Sequence, residues 1–274
     1  STKPRKGVVV GAGPGGLEAG LRAREMGHEV VVYEKRDVMG GEMISASIPD
    51  FKWDIKNLLR YYEREVERTG LEVRTGTEVT LDLLKAESPD TVVLATGGEA
   101  VLPDIPGIDA DHVTTAIEAL ERWDQLDIGK HVMVLGAGLV GYEMAWFAAD
   151  QGRSVVMVSR RQDEDIFKLE EHGTNLALLI KGVREAGVQI QGNREVVRIE
   201  EKSVVLVDGD GNEERRAVDS LIISRGYRPR RNLVEAIKSA GLGCEILEVG
   251  DCVEVRNFFD AINEGAHVVR EKLG

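Results

Sequence analysis

The feature that most constrains this chain is an internal repeat. Gly11 to Arg36 (GAGPGGLEAGLRAREMGHEVVVYEKR) matches Gly136 to Arg161 (GAGLVGYEMAWFAADQGRSVVMVSRR) at a constant offset of 125, with 10 of 26 positions identical. Both copies carry the three glycines of G-x-G-x-x-G and a Glu two places later (Glu18, Glu143). Both also have a glycine closing the helical stretch (Gly27, Gly152) and a Val pair opening the next apolar run. A single recurrence at so long an interval is not a solenoid, whose units repeat every ~20–50 residues. It reads as one βαβ unit used twice, and 274 residues hold two lobes at about 150 residues per domain.

The flanking pattern agrees. Lys6 to Val10 is an apolar run suited to a buried parallel strand, and Gly15 to Met26 places Leu17, Ala19, Leu21 and Ala23 at helical spacing. Val30 to Tyr33 is the next strand. Lys130 to Leu135, Leu139 to Gln151 and Val155 to Val158 repeat this order. A helix is expected over Phe51 to Arg68 with Ile55, Leu58, Leu59, Tyr62 and Val66 on one side, and LPDIPG at Leu102 to Gly107 reads as a crossing strand. Val188 to Ile223 is mostly strand, with Asp208-Gly209-Asp210-Gly211 as a hairpin turn. Strands alternating with helices predict an α/β fold with a parallel sheet.

The glycines have chemical reasons. The first permits the tight turn out of the strand, the second lets a pyrophosphate approach the backbone, and the third lets helix and strand pack closely. The helix amino end then presents N–H groups and a positive dipole end to phosphate. Gly11, Gly13 and Gly16, with Pro14 and Gly15 between them, precede Glu34 by the interval at which an acid accepts ribose hydroxyls. Gly136, Gly138 and Gly141, with Leu139 and Val140, form the second loop, but Ser159 stands where Glu34 would align, followed by Arg160 and Arg161. A Glu there would repel a ribose 2′-phosphate, whereas Ser and guanidinium groups bond it, so NADPH is expected over NADH in the second lobe. Arg160 and Arg161 also read as solvated residues before the acidic turn Asp163-Glu164-Asp165, which would leave the preference open.

Composition removes other classes. With 35 basic against 48 acidic residues the net charge is −13, which disfavours nucleic acid and anionic membrane surfaces as partners. No apolar run spans a bilayer, and the basic start Ser1 to Lys6 leads into a glycine turn instead of a signal-peptide stretch, so a soluble, cytoplasmic protein is expected. Cys244 and Cys252 supply no C-x-x-C centre. His28, His112, His131, His172 and His267 are scattered without ligand spacing, so no metal site is expected. Trp53, Tyr61 and Tyr62 read as core or interface aromatics, and Trp123, Trp146 and Phe147 as packing residues.

The ordered set GAGPGG with Glu34, Gly40-Gly41-Glu42, Ala95-Thr96-Gly97-Gly98, PDIPG and GAGLVGYE resembles flavoprotein disulfide-reductase-like enzymes with tandem FAD and NAD(P) lobes. The tail VGDCVEVRNFFDAINEG, Val249 to Gly265, resembles the nucleotide-binding half of 2,4-dienoyl-CoA reductase, 2-enoate reductase and trimethylamine dehydrogenase. The resemblance implies two Rossmann-like lobes, the second inserted into the first: an FAD lobe at 1–99, an NAD(P) lobe at 100–226 and a return segment at 227–274. It implies that Gly11, Gly13 and Gly16 meet the FAD pyrophosphate, Glu34 the ribose, and Lys35 and Arg36 the adenosine end. Gly40-Gly41 would be a close-approach turn near the flavin, Thr96-Gly97 the crossing past it, and Gly226 the second crossing. Gly250-Asp251 would bind the ribityl chain, and Ala261 and Ile262, at the start of the last helix, would aim N–H groups at the flavin pyrimidine edge.

The resembled enzymes also carry an amino-terminal flavin barrel and an iron–sulfur cluster, and two cysteines cannot ligate a four-cysteine cluster. Ser1 to Lys6 resembles the linker preceding this region in those enzymes, which implies an excised fragment or a dissociated subunit. The leading expectation is an NAD(P)H-dependent FAD oxidoreductase that passes electrons to a separate FMN/iron–sulfur domain or subunit, for reduction of an enoate- or enoyl-type substrate. Hydride transfer between aligned cofactors requires no protein acid or base, so no catalytic residue is assigned. Two alternatives stand beside it: an ADP- or FAD-binding structural module without electron transfer, and a stand-alone ferredoxin- or quinone-type reductase.

Overall fold

Runs of valine with no polar alternation, such as VVV at 8–10 and VVVY at 30–33, suit strands covered on both faces, as parallel sheets require. A computed structural model describes residues 3–161 and 173–273. The expected acidic turn at 163–165 and His172 lie outside the described residues. The chain divides into two compact units, Ser1–Glu99 with Tyr227–Gly274, and Ala100–Gly226.

The first unit begins with β1 (Lys6–Val10), α1 (Pro14–Glu25), β2 (Glu29–Tyr33), α2 (Met43–Ala46), α3 (Trp53–Thr69), β3 (Glu72–Arg74), α4 (Leu81–Glu87), β4 (Thr91–Leu94) and β5 (Gly98–Ala100). The second unit holds β6 (Val113–Thr115), α5 (Ala116–Glu121), β7 (His131–Leu135), α6 (Leu139–Asp150), β8 (Ser154–Val158), α7 (Gly173–Glu185), β9 (Gln189–Gln191), β10 (Arg194–Glu200), β11 (Ser203–Asp208), β12 (Glu213–Ala217) and β13 (Ser220–Ile223). The chain then returns to the first unit through β14 (Tyr227–Pro229), α8 (Asn232–Ser239), β15 (Glu245–Glu248) and α9 (Phe258–Leu273).

Each unit is built on a five-stranded parallel sheet, β15-β4-β1-β2-β3 in the first and β6-β13-β7-β8-β9 in the second. The Rossmann-like α/β architecture expected from the repeat is therefore present twice. Alternation along β1 sends Val9 to a core with α1, α3 and α9, through Leu17, Tyr62 and Val269, while Val8 and Val10 join Leu84, Val234 and Ile237 on the opposite face. In the second unit Met133, Leu135, Leu221 and Ile223 pack against Val196, Val204 and Leu206 of the antiparallel sheet β10-β11-β12.

Two local expectations change. Leu102 to Gly107 is irregular, and the crossing strand is β5. Pro103 and Pro106 carry no N–H for a ladder; Pro106 instead offers its carbonyl to Ile199 N at 2.8 Å. Of the α3 aromatics only Tyr62 is core, because it shares the apolar stripe of Ile55, Leu58, Leu59 and Val66. Trp53 and Tyr61 lie off it, 66% and 43% exposed. Trp123 and Phe147 pack edge to face at 5.0 Å.

Candidate functional site

The two glycine loops leave their strands in the same way. Gly11 N donates to Tyr33 O at 2.8 Å, and Gly136 N to Val158 O at 2.9 Å. Gly11 and Gly136 adopt φ of 106° and 122°, conformations that L side chains rarely take. A Cβ on Gly11 would stand 2.3 Å from Ala95 O, and one on Gly136 1.9 Å from Ser224 O. The third glycines are equally tight: a Cβ would approach Gly11 O to 1.9 Å from Gly16, and Gly136 O to 2.1 Å from Gly141. Close packing thus accounts for the first and third glycine of each motif.

The middle glycine has a different reason. Gly138 has φ −90° and ψ 178°, ordinary extended backbone, and a Cβ there would meet nothing within 4 Å among the described residues. Neither strain nor a protein neighbour asks for glycine; the open space does. Gly13, with φ −76° and ψ −177°, has only Gly41 Cα at 3.9 Å. Both residues cap helices that carry no side-chain cap bond, and the first helical bonds are Leu17 N to Gly13 O and Tyr142 N to Gly138 O. The preceding N–H groups of each first turn are left for a ligand. An uncapped helix end beneath cleared space fits a pyrophosphate, so each unit fits a dinucleotide.

Around the first loop, buried Glu34 accepts from Ala12 N at 2.8 Å through Oε2 and from Arg36 N at 2.9 Å through Oε1. Each carboxylate oxygen has two acceptor sites, so Glu34 fixes the turn and retains capacity for a diol. Lys35 is exposed and Arg36 half-buried. Gly40 N donates to Ala12 O at 2.8 Å, and Gly41, at φ 56°, brings its backbone so near that a Cβ would lie 2.8 Å from Gly13 Cα. Thr96 Oγ1 donates to Arg230 O at 3.1 Å, and Gly97 O accepts from Arg230 N at 3.1 Å.

At the return segment, Gly250 (φ 70°) donates to Glu264 Oε2 at 2.8 Å, and Asp251 Oδ1 accepts from Arg256 N at 3.2 Å. Burial pushes the Asp251 carboxyl above its ordinary range, with Glu264 and Asp260 adding to the shift and Arg256 opposing it. Helix α9 starts at Phe258, earlier than its sequence expectation, because Asn257 Oδ1 caps Asp260 N at 3.0 Å. Ala261 N is therefore already bonded to Asn257 O at 3.2 Å, and Ile262 follows it inside the helix. Cys252 is fully buried, its thiol has Leu94 O and Val249 O, both at 3.2 Å, as acceptors for its one proton, and burial pushes its pKa up. A protonated, enclosed thiol is no nucleophile.

In the second unit Ser159 Oγ accepts from Arg161 N at 3.2 Å, the bond that Glu34 makes with Arg36. Leu139 and Val140, half-buried, form the first turn of α6. Arg160 Nη1 lies 3.6 Å from Glu195 Oε1, and Gly226 adopts φ 84° with its carbonyl accepting from Val101 N at 2.9 Å. Ser224 and Glu195 were not indicated by the motifs alone. The parallel of Ala95-Thr96-Gly97 with Ser224-Arg225-Gly226 could have pointed to Ser224; Glu195 arrives from β10 and has no local signal.

Paired glycine turns with uncapped helices on twin parallel sheets define a protein with two dinucleotide-binding units. The chain belongs to the pyridine nucleotide-disulphide oxidoreductase family, whose model matches residues 5–253. It is 33% identical to a bilirubin reductase of Mediterraneibacter gnavus and 30% identical to an NADH oxidase of Thermoanaerobacter brockii, over 97% and 96% of this chain but 40% of each relative. A solved 2-naphthoyl-CoA reductase complex is 28% identical with a TM-score of 0.89, over 97% of this chain and 39% of that one. The chain thus spans about two fifths of the relatives it resembles. The motif-based resemblance holds at the level of family and fold.

Proposed function

We propose that the chain is an electron-transfer module that takes hydride from NADPH, or NADH, onto FAD and delivers the electrons to a separate FMN/iron–sulfur domain or subunit. The observation that carries this reading is the duplicated glycine turn, ending in Glu34 in one unit and in Ser159-Arg160 in the other. Residues 1–99 and 227–274 are assigned to FAD, and 100–226 to the pyridine nucleotide.

In the first unit Gly11, Gly13, Pro14, Gly15 and Gly16 form the pyrophosphate end, Glu34 holds the ribose diol, and Lys35 and Arg36 flank the adenosine. Gly41, Thr96 and Gly97 shape the passage of the chain, Asp251 after Gly250 bonds the ribityl hydroxyls, and Ala261 with Ile262 belongs to the helix end facing the flavin. In the second unit Gly136, Gly138, Leu139, Val140 and Gly141 take the pyrophosphate, Arg160 and Arg161 favour a 2′-phosphate, and Gly226 marks the crossing.

When bound, FAD supplies a two-electron acceptor able to release its electrons singly. The chain's own contribution is to bind, orient and exclude water. Its two cysteines form no dithiol: Cys252 is enclosed, and burial also raises the Cys244 pKa. That supports export of electrons to a separate centre. Likeness to the 2-naphthoyl-CoA reductase supports an enoate- or enoyl-type substrate for the whole assembly. No described helix is long and apolar enough to cross a membrane, and free thiols suit the cytoplasm, where we place the protein.

Anaerobic titration with NADPH and NADH, followed at the flavin bands, tests the proposal. Bleaching by stoichiometric NADPH and release of FAD on denaturation are expected. A colourless protein retaining ADP would overturn it.

A further inference from the structure

Strand register places two arginines at matching points beside the second glycine turn. Leu135, at the end of β7, pairs with Val158 on β8 and with Ile223 on β13. Two residues beyond those strand ends stand Ala137 in the centre, Arg160 on one side and Arg225 on the other. In the first unit Val10 pairs with Tyr33 and Leu94, and the same positions hold Lys35 and Thr96. Thr96 turns its hydroxyl to its own crossing segment, at Arg230 O. Arg225 is half-buried, and among the described residues no carboxylate lies at ion-pair distance from it.

The chain at this point touches the turn itself, since a Cβ on Gly136 would be 3.7 Å from Arg225 N. Arg160, by contrast, has a counter-charge in Glu195. The β9–β10 connection is laced to the strand end by Ser159 N to Gln191 O (3.0 Å), Arg194 N to Ser159 O (2.9 Å) and Asn193 N to Arg161 O (2.7 Å), which holds Glu195 on the Arg160 side. Burial and the neighbouring Arg160 push the Arg225 pKa down, opposed by Glu195. A guanidinium nevertheless stays charged in a protein, so the repulsion persists until an anion arrives.

We propose that Arg225 binds the pyrophosphate of the pyridine dinucleotide, closing over the glycine turn from the β13 side while the uncapped amino end of α6 supplies N–H donors. The assignment rests on reading the second unit as the pyridine-nucleotide unit. A guanidinium offers phosphate two parallel charge-assisted bonds. The pyrophosphate is common to NADH and NADPH, so Arg225 strengthens both alike, whereas Ser159 and Arg160 discriminate at the adenosine ribose.

The test uses the full chain and calorimetric titration with NAD⁺, NADP⁺, ADP-ribose and 2′-AMP for the parent, Arg225→Thr and Arg225→Lys. Threonine is what the first unit carries at this position, and unchanged melting temperature and flavin content report an intact fold. Arg225→Thr is expected to weaken NAD⁺, NADP⁺ and ADP-ribose alike, by about tenfold or more, as loss of a charged hydrogen bond implies. Binding of 2′-AMP should be unchanged, with partial recovery in Arg225→Lys. Unaltered ADP-ribose affinity, or a loss confined to NADP⁺ and 2′-AMP, would overturn the assignment. A parent chain that binds none of these ligands would overturn the pyridine-nucleotide reading and this proposal with it.

Discussion

Gly265 of α9 lies directly on Gly15 of α1: a Cβ on Gly265 would stand 2.3 Å from Gly15 O, and one on Gly15 3.1 Å from Ala261 O. The return segment is thereby locked onto the helix that follows the first glycine turn, backbone against backbone. Gly265→Ala should lower stability by about 1–3 kcal/mol through overpacking, read as a shift of the denaturation midpoint. Equal midpoints would mean the helices separate without cost.

Gly138 separates binding from folding. Its backbone is unstrained and no described residue lies within 4 Å of a Cβ there, so Gly138→Ala should fold with an unchanged melting temperature. A methyl group in the phosphate approach should weaken NAD(P)H by about tenfold or more, since even small displacements at such a contact cost a charge-assisted bond. Fluorescence titration of NADPH measures it. Gly136→Ala, by contrast, meets Ser224 O at 1.9 Å and should impair folding itself.

Arg160 and Glu195 set a balance that substitution can tip either way. Arg160→Glu should weaken NADPH and spare NADH. Glu195→Gln removes the carboxylate 3.6 Å from Arg160 and should tighten NADPH about two- to fivefold, a modest gain because both side chains are more than half exposed. NADH affinity should not change, and parallel titrations of both coenzymes decide.

Asp251 gives a pH signature. Its carboxyl is raised in the folded chain, chiefly by burial, so its contribution to stability is present below the unfolded carboxyl pKa of about 3.9 and is lost as pH rises through the folded value. Asp251→Asn keeps an acceptor for Arg256 N and removes the titration. Apoprotein melting temperatures should therefore match near pH 3.5 and favour the variant at pH 7. A constant difference across that range would refute the linkage.

Glu34→Gln preserves shape but replaces one oxygen that serves Ala12 N or Arg36 N with a second donor, so the ribose diol loses acceptors. FAD content after purification should fall, measured by absorbance per chain. The equivalent Ser159→Ala should leave FAD content unaltered, because it lies in the other unit.

The repeat alone determined a great deal: two βαβ units, their glycine turns, and the contrast of Glu34 with Ser159. Those properties depend on residues close in sequence, where chain geometry leaves few alternatives. The position of the crossing strand and the exposure of Trp53 were decided by pairing with distant segments and by which helix face met the core, whereas the early start of α9 follows from the local cap that Asn257 gives Asp260 N. Glu195 and Arg225 belong wholly to the tertiary level. The parallel register of β7 and β13 brings Arg225 beside the second glycine turn, and the hydrogen bonds that tie the β9–β10 connection to the end of β8 bring Glu195 to Arg160.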